Sequence, residues 1–224
     1  MVPEPRDPPE NRESVADALA RRVEDREGPT ANVLVQGLHE LGAVDRAVYE
    51  AVARTPTGTL DAPVRRLSAA ADHSRLWLAI AAAVAVVGGR RGRRAALEGV
   101  VAIGVTSATI NLGVKPIARR GRPDRDRPAL FEDRHVPMPG STSFPSGHAA
   151  SAFAFAYAIG RHLPVLAVPI RLLAAAVAYS RVHTGVHYPG DVVIGSVAGA
   201  GTAAMVAAVA DRVARAREPS GRAR

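Results

Sequence analysis

Five runs of nearly uncharged residues follow one another in this chain, and they limit its fold more than any other feature. They cover roughly 75–89, 95–114, 149–160, 164–179 and 192–210. The second and fifth approach the ~20 apolar residues needed to cross a bilayer, and the others reach that length only with their flanks, as in Ser146 to Gly160. So many runs leave little polar surface for the shell of a soluble protein. The pattern predicts an all-α, integral-membrane helical bundle with about five transmembrane helices. A soluble bundle of buried, alanine-rich helices is the alternative. Glu98 and Arg171 fall inside two of the runs and are expected to face the bundle interior or reach an interface.

Ahead of these runs the apolar spacing changes. Leu34, Leu38, Leu41, Val44, Val48 and Val52 recur at a helical period, with Glu40, Asp45 and Glu50 elsewhere on the surface. This predicts an N-terminal amphipathic helix, lying on a bilayer surface or against a protein core. Thr55-Pro56-Thr57-Gly58 ends it, and a second short amphipathic segment runs from about Leu60 to Leu67. Residues 1–30 hold eight acids, five arginines and a cluster of prolines, with too little apolar surface to offset ordering entropy. Four regions are therefore expected: a disordered charged tail at 1–30, amphipathic interfacial helices at 31–72, a membrane domain at 73–211 and a basic tail at 212–224.

Charge excludes one class of partner and orients the rest. The net charge of +8 invites a nucleic-acid reading. However, the arginines lie between or beside apolar runs, with few aromatics interleaved for base stacking, so no nucleic-acid partner is expected. The absence of cysteine excludes disulfides and thiolate metal sites. Arg90-Arg91-Gly92-Arg93-Arg94, between the first two runs, marks a cytoplasmic loop, and the arginine-rich C-terminal tail belongs on the same side. Five spans then put 115–147, 180–191 and the N-terminus on the outer face. The 115–147 loop is itself basic, against the rule for that side, and an anion-binding task accounts for the exception.

Three short stretches carry the chemistry, and all fall where apolar runs begin or end. The first contains Lys115, Arg122 and Pro123. Of the 29 basic residues 28 are arginine, so the lone lysine here suggests a chemical requirement. The second is Pro145-Ser146-Gly147-His148, directly ahead of an apolar run. A helix starting there aims free backbone amides at the preceding loop, where Ser146 and Gly147 let an anion approach. His148 at the mouth of such a site is suited to protonating a leaving oxygen.

The third stretch joins Ser180, Arg181, His187 and Asp191. His183, His187 and Asp191 have the spacing of metal ligands on one helix face, but Pro189 and Gly190 break that helix. A histidine–carboxylate pair fits better: Asp191 fixes the tautomer of His187 and leaves its other nitrogen as a nucleophile. Asp191 is also placed to cap the following run. Lys115, Arg122 and Arg181 are the cations for phosphate oxygens. Arg119, Arg120, Arg125 and Arg127 are read as lying on a solvated face or anchoring at an interface, as are His39, His73, His135 and His162. His183 is a candidate supporting residue.

Taken together, K-x6-R-P, P-S-G-H and S-R-x5-H-x3-D resemble the motifs of the type 2 phosphatidic acid phosphatase superfamily, over roughly residues 60–210. That superfamily also includes bacterial acid phosphatases and vanadium haloperoxidases. The resemblance implies a membrane lipid phosphate phosphatase that uses neither metal nor cofactor. His187 would attack phosphorus to form a phosphohistidine, Asp191 would orient it and His148 would act as general acid. Lys115, Arg122, Ser146, Gly147 and Arg181 would bind the phosphate. The expected substrate is phosphatidic acid, phosphatidylglycerophosphate or a polyprenyl diphosphate, hydrolysed by a multi-pass cell-membrane protein at its outer face. A soluble acid phosphatase, a vanadium haloperoxidase and a non-catalytic membrane phosphate binder are the rival readings.

Overall fold

A computed structural model describes residues 29–118, 120–125 and 132–217 of the 224-residue chain. The regular structure among the described residues is helical, without strands. Helix α1 (Pro29–Arg54) is followed by α2 (Asp61–Ala70) and α3 (Arg75–Val87). Helix α4 (Gly89–Ala108) continues through a π-helical stretch, Thr109–Val114, and a last turn, Lys115–Ala118. Then come α5 (Gly147–His162), α6 (Pro164–His183) and α7 (Pro189–Arg217). Most of the expected 1–30 tail, Arg119, Arg127 and the end of the C-terminal tail lie outside the described residues.

Each apolar run forms a helix. The helices Gly89–Ala118, Pro164–His183 and Pro189–Arg217 are long and apolar enough to cross a membrane, and the pair Gly58–Ala70 and Asp72–Val87, bent by 64°, makes a fourth if it is one span. Helix α5 has 16 residues, about 24 Å at ~1.5 Å per residue, against a hydrocarbon core of ~30 Å. It lies at the centre of the bundle, packed on α4, α6 and α7, so it faces protein and needs no lipid-matched length.

Small residues let these helices close on α5. Gly195 and Gly199 of α7 lie one turn apart, and a Cβ at either would strike the backbone carbonyls of Ser146 and Ala150. Ala203 and Ala207 continue this buried stripe, the small-residue spacing by which membrane helices approach each other. On the other side of α5, Phe155 packs beside Gly99 and tilts against Trp77 with ring centroids 5.5 Å apart. Far from the motifs, Arg161 and His162 at the end of α5 meet Glu98 of α4 at 3.2 and 2.8 Å, and Arg161 also meets Asp211 of α7. Glu98 thus has partners inside the bundle, as its place in an apolar run demands.

Of the two placements its spacing allows, helix α1 leaves its apolar stripe on the outside, as a bilayer surface requires, and does not bury it in the protein core. Leu41, Val44 and Val48 are exposed, while Tyr49 and Ala53 are buried against Tyr188 and Val192. Asp45 shares that inward side and accepts from the Gly190 amide at 2.6 Å. The start of α7 has free N–H groups that attract a carboxylate. A second clasp fastens the loop after residue 131. The buried Arg134 donates to Asp61 at 2.8 Å, to the Val52 carbonyl at 3.0 Å and to Thr57 at 2.7 Å. It thereby ties that loop to the end of α1 and the start of α2.

Candidate active site

The three motifs meet at one end of the bundle because helices begin or end there. Helix α5 starts at Gly147, with Ser146 in extended conformation as its cap and Ser146 Oγ accepting from the Ala149 amide at 3.5 Å. The Ser146 amide donates to the Asp191 carbonyl at 2.9 Å, which fastens the second motif to the third. Helix α6 ends at His183, and the turn that follows presents His187 before α7 begins at Pro189. Pro189 is an ordinary first helical residue, and Asp191 lies two residues further on. Its Oδ2 accepts from the Tyr188 amide at 2.9 Å, half of a capping box.

A cavity of about 240 Å³ opens here, lined by Lys115, Arg122, Gly147, His148 and His187. Asp191, Ser146 and Arg181 sit behind its wall, at most 1% exposed. The structure therefore brings all eight sequence-derived residues to one place, five on the surface of the cavity and three beneath it.

His187 is held from both ring nitrogens. Nδ1 lies 3.4 Å from Asp191 Oδ2, and Arg122 Nη1 lies 3.3 Å from Nε2. Arginine only donates, so Nε2 carries the lone pair and Nδ1 the proton. Burial pushes the His187 pKa down to about 4, against the pull of Asp191, so the ring is neutral near pH 7. Arg122 also donates to the Val186 carbonyl at 2.6 Å and, through Nε, to the Ser141 carbonyl at 2.9 Å. Burial lowers its pKa to about 10, so it stays charged. Lys115 donates to Ser141 Oγ at 3.0 Å.

Several supporting residues have no counterpart in the sequence reading. Arg120 does not lie on a solvated face: it is 5% exposed, its Nη1 2.7 Å from Asp191 Oδ1 and its Nη2 2.7 Å from Asp45. Its guanidinium stacks 4.0 Å over the Tyr188 ring. The pull of a buried, permanently protonated cation on two carboxylates overrides the solvation expected of one more arginine in a basic loop. Ser143 also donates to Asp191, so that carboxylate is held by a serine, an arginine and a backbone amide. Arg125 is no free surface charge either, donating to the Val136 and Thr184 carbonyls at 2.8 and 2.9 Å.

On the far wall, His148 Nε2 is 2.8 Å from Asp72 Oδ1. Arg181 donates to Ser68 at 2.6 Å and lies 3.7 Å from the same Asp72 oxygen. His73, exposed as expected, and Ser74 also line the cavity. His183 is buried, with Nε2 2.9 Å from Asp61, and so belongs to the Arg134 clasp. The helix break falls between His183 and His187, and no group of three or more His, Cys, Asp or Glu among the described residues is arranged to hold a metal ion. Of the missed residues, Ser143 alone had a local signal, three places before Ser146. Asp45, Asp72 and Arg120 reach the site only through tertiary packing.

With this geometry in place, comparison with known proteins decides the family. Residues 95–215 match the PAP2 superfamily. The chain belongs to that superfamily. It is 37% identical over 180 residues to decaprenylphosphoryl-5-phosphoribose phosphatase of Mycobacterium tuberculosis, covering 79% of this chain and 94% of the relative. The protein of the same description from Mycolicibacterium smegmatis is 37% identical over 153 residues, 68% of this chain and 79% of that one. Among solved structures, LpxE of Aquifex aeolicus superposes with a TM-score of 0.61 at 20% identity, over 73% of this chain and 94% of that one. A transmembrane PAP2-type phosphatidylglycerolphosphate phosphatase from Bacillus subtilis superposes with a TM-score of 0.57 at 22% identity, over 88% and 95%. These two likenesses concern the fold, and both are to helical PAP2 proteins.

Proposed function

We propose that this PAP2-type membrane lipid phosphatase removes the terminal phosphate from a polyprenyl-linked phosphosugar at the extracytoplasmic face, through a phosphohistidine on His187. The observation that carries the lipid class is the 37% identity to a decaprenylphosphoryl-5-phosphoribose phosphatase across most of both chains. The cavity supports a sugar rather than a diacylglycerol beside the phosphate. Besides the phosphate-binding residues its lining includes Ser107, Asn111, Ser151, His73 and Ser74, all able to hydrogen-bond hydroxyl groups. The π-helical stretch carrying Asn111 is the kind of helix irregularity often found at functional positions.

Chemically, the lone pair on His187 Nε2 attacks phosphorus as the bond to the leaving oxygen breaks. Lys115, Arg122 and Arg181 and the amide of Gly147 stabilise charge on the equatorial oxygens without rearranging. Ser146 shapes that cradle by starting the helix. His148 gives a proton to the leaving oxygen, and water then attacks the phosphohistidine while His148 takes a proton back. Sidedness rests on charge. Arg90, Arg91, Arg93 and Arg94 start the helix that ends near Lys115, and Arg212, Arg215 and Arg217 end the helix that starts near Asp191. At ~1.5 Å per residue, Arg90 to Lys115 spans nearly ~40 Å, so the basic clusters and the site lie across a bilayer from each other.

Phosphate release by the detergent-purified chain, with EDTA present, tests this reading on polyprenyl-linked phosphosugar, phosphatidic acid, phosphatidylglycerophosphate and polyprenyl diphosphate. EDTA-resistant release, fastest on the phosphosugar and lost in His187→Ala, is the expected result. Faster release from a glycerolipid phosphate would remove the sugar assignment, and activity in His187→Ala would remove the nucleophile.

A further inference from the structure

The carboxylate beside His148 lies outside all three motifs and outside residues 95–215, the part of the chain that carries the family match. Asp72 opens the turn Asp72–Ser74 between α2 and α3, where the chain bends by 64°. Two successive non-glycine residues there, His73 and Ser74, have φ of 53° and 60°. L-residues seldom take this left-handed conformation, and such strain persists where the surroundings impose it, often at a site of function. Here the turn packs on α5, and its carboxylate reaches 2.8 Å from His148 Nε2.

A general acid must hold a proton until the leaving oxygen needs it. His148 sits in a poor place for that: it lines the same cavity as Lys115 and Arg122, and Arg181 lies next to its own partner. Three cations and partial burial all favour the neutral ring. Facing it, the turn contributes Asp72 and His73, α4 and the loop after it Lys115 and Arg122, α6 Arg181 and the turn before α7 His187. Among the described residues, Asp72 is the one carboxylate that touches His148. With Nε2–H donated to Asp72, the ring makes no hydrogen bond to a described residue through Nδ1, which leaves that nitrogen for the substrate.

We infer that Asp72 is a positioning residue that favours the protonated ring of His148 against its cationic neighbours and turns its Nδ1–H toward the leaving oxygen. The proton balance is simple. His148 passes the Nδ1 proton to the leaving oxygen as the P–O bond breaks, keeps Nε2–H on Asp72, and regains a proton from the water that opens the phosphohistidine. Asp72 itself gains and loses nothing.

This inference rests on the proposed role of His148, and leaving-group chemistry tests it. An alkyl phosphate needs its leaving oxygen protonated, whereas p-nitrophenyl phosphate releases a stable anion unaided. In the full chain in detergent, Asp72→Asn should lose about 100-fold on octyl phosphate, the span of one proton transfer, and no more than about fivefold on p-nitrophenyl phosphate. Asp72→Glu, which keeps the charge, should recover at least about tenfold of the octyl phosphate loss, and it stands in with the same selective pattern if the Asn variant does not fold. In a His148→Ala background Asp72→Asn should add less than about twofold. Equal losses on the two substrates, no loss on octyl phosphate, or a full further loss in the His148→Ala background would each overturn the inference. His187→Ala separates the two levels. Inactivity there with an unselective Asp72→Asn sinks this inference alone, while an active His187→Ala sinks the reading beneath it.

Discussion

His187 and His148 each face a carboxylate across the same cavity, yet the two pairs are built in opposite ways. Asp191 is fully buried, gripped by Arg120, Ser143 and the Tyr188 amide, and lies four residues from its histidine. Asp72 has a side chain 36% exposed, lies 76 residues from its histidine and sits on a strained turn. The difference matches the two proposed tasks. A nucleophile needs one fixed tautomer and no exchange with solvent, so its carboxylate is sealed in. An acid must reload from water at every turnover, so its carboxylate stays within reach of solvent.

Each pair can be broken separately. The largest expected effect is on the sealed side: His187→Ala should lower phosphate release by at least about four orders of magnitude, as for loss of a nucleophile elsewhere. Its circular dichroism should be unchanged, because the ring is linked only to neighbours that keep other partners. Next comes Arg120→Met. It leaves Asp45 and Asp191 buried without their cation, so stability should fall by about 3–5 kcal/mol in detergent unfolding, with turnover falling as Asp191 swings free. A stable, active Arg120→Met would show that Ser143 and the Tyr188 amide hold Asp191 alone. Lys115→Arg keeps the charge but replaces a point donor with a planar fork, and should cost about 10- to 100-fold, the ~1.5–3 kcal/mol of one hydrogen bond to a charged group.

The smallest and most diagnostic effect is in pH. With the free His187 pKa near 4, kcat/KM should show no loss from this residue between pH 5 and 8 and should fall about tenfold per unit only below about pH 4. The unfolded chain binds that proton near pH 6.5 and the folded chain does not until about 4, so acidification through this window should lower stability. An acid limb near 6.5 that persists in His148→Ala would mean that His187 is not sealed.

The sequence made the sealed pair legible and hid the open one. His187 and Asp191 are close in sequence, as are Ser146, Gly147 and His148, and a helix start fixes where their side chains can go. Lys115 and Arg122 lie on one short loop whose ends are anchored by apolar runs. Asp72 and Asp45 belong to amphipathic segments in which a carboxylate normally marks the wet side. Periodicity for α1 left open whether Leu41, Val44 and Val48 face lipid or protein, and it put Asp45 on the surface, whereas the polar start of α7 draws that carboxylate in. Arg120 was hidden by its company, since it is one of several arginines between Lys115 and Arg122 and spacing cannot tell which of them is buried. The apolar run of α5 has a related ambiguity: apolar character records distance from water, and α5 is shielded by its neighbours as effectively as by lipid.

The contact of Gly195 and Gly199 with the backbone of α5 has a consequence for how such an enzyme can change. The second and third motifs are kept apart by backbone touching backbone, a hard stop that no rotamer can soften and no neighbouring side chain can retune. The outward faces of α6 and α7, with Val165, Leu172, Val197 and Met205, take no part in that stop. Their side chains are free to drift with the thickness and composition of the host membrane, or with the tail of a new lipid. The reacting groups keep their spacing while the solvent around the protein is replaced.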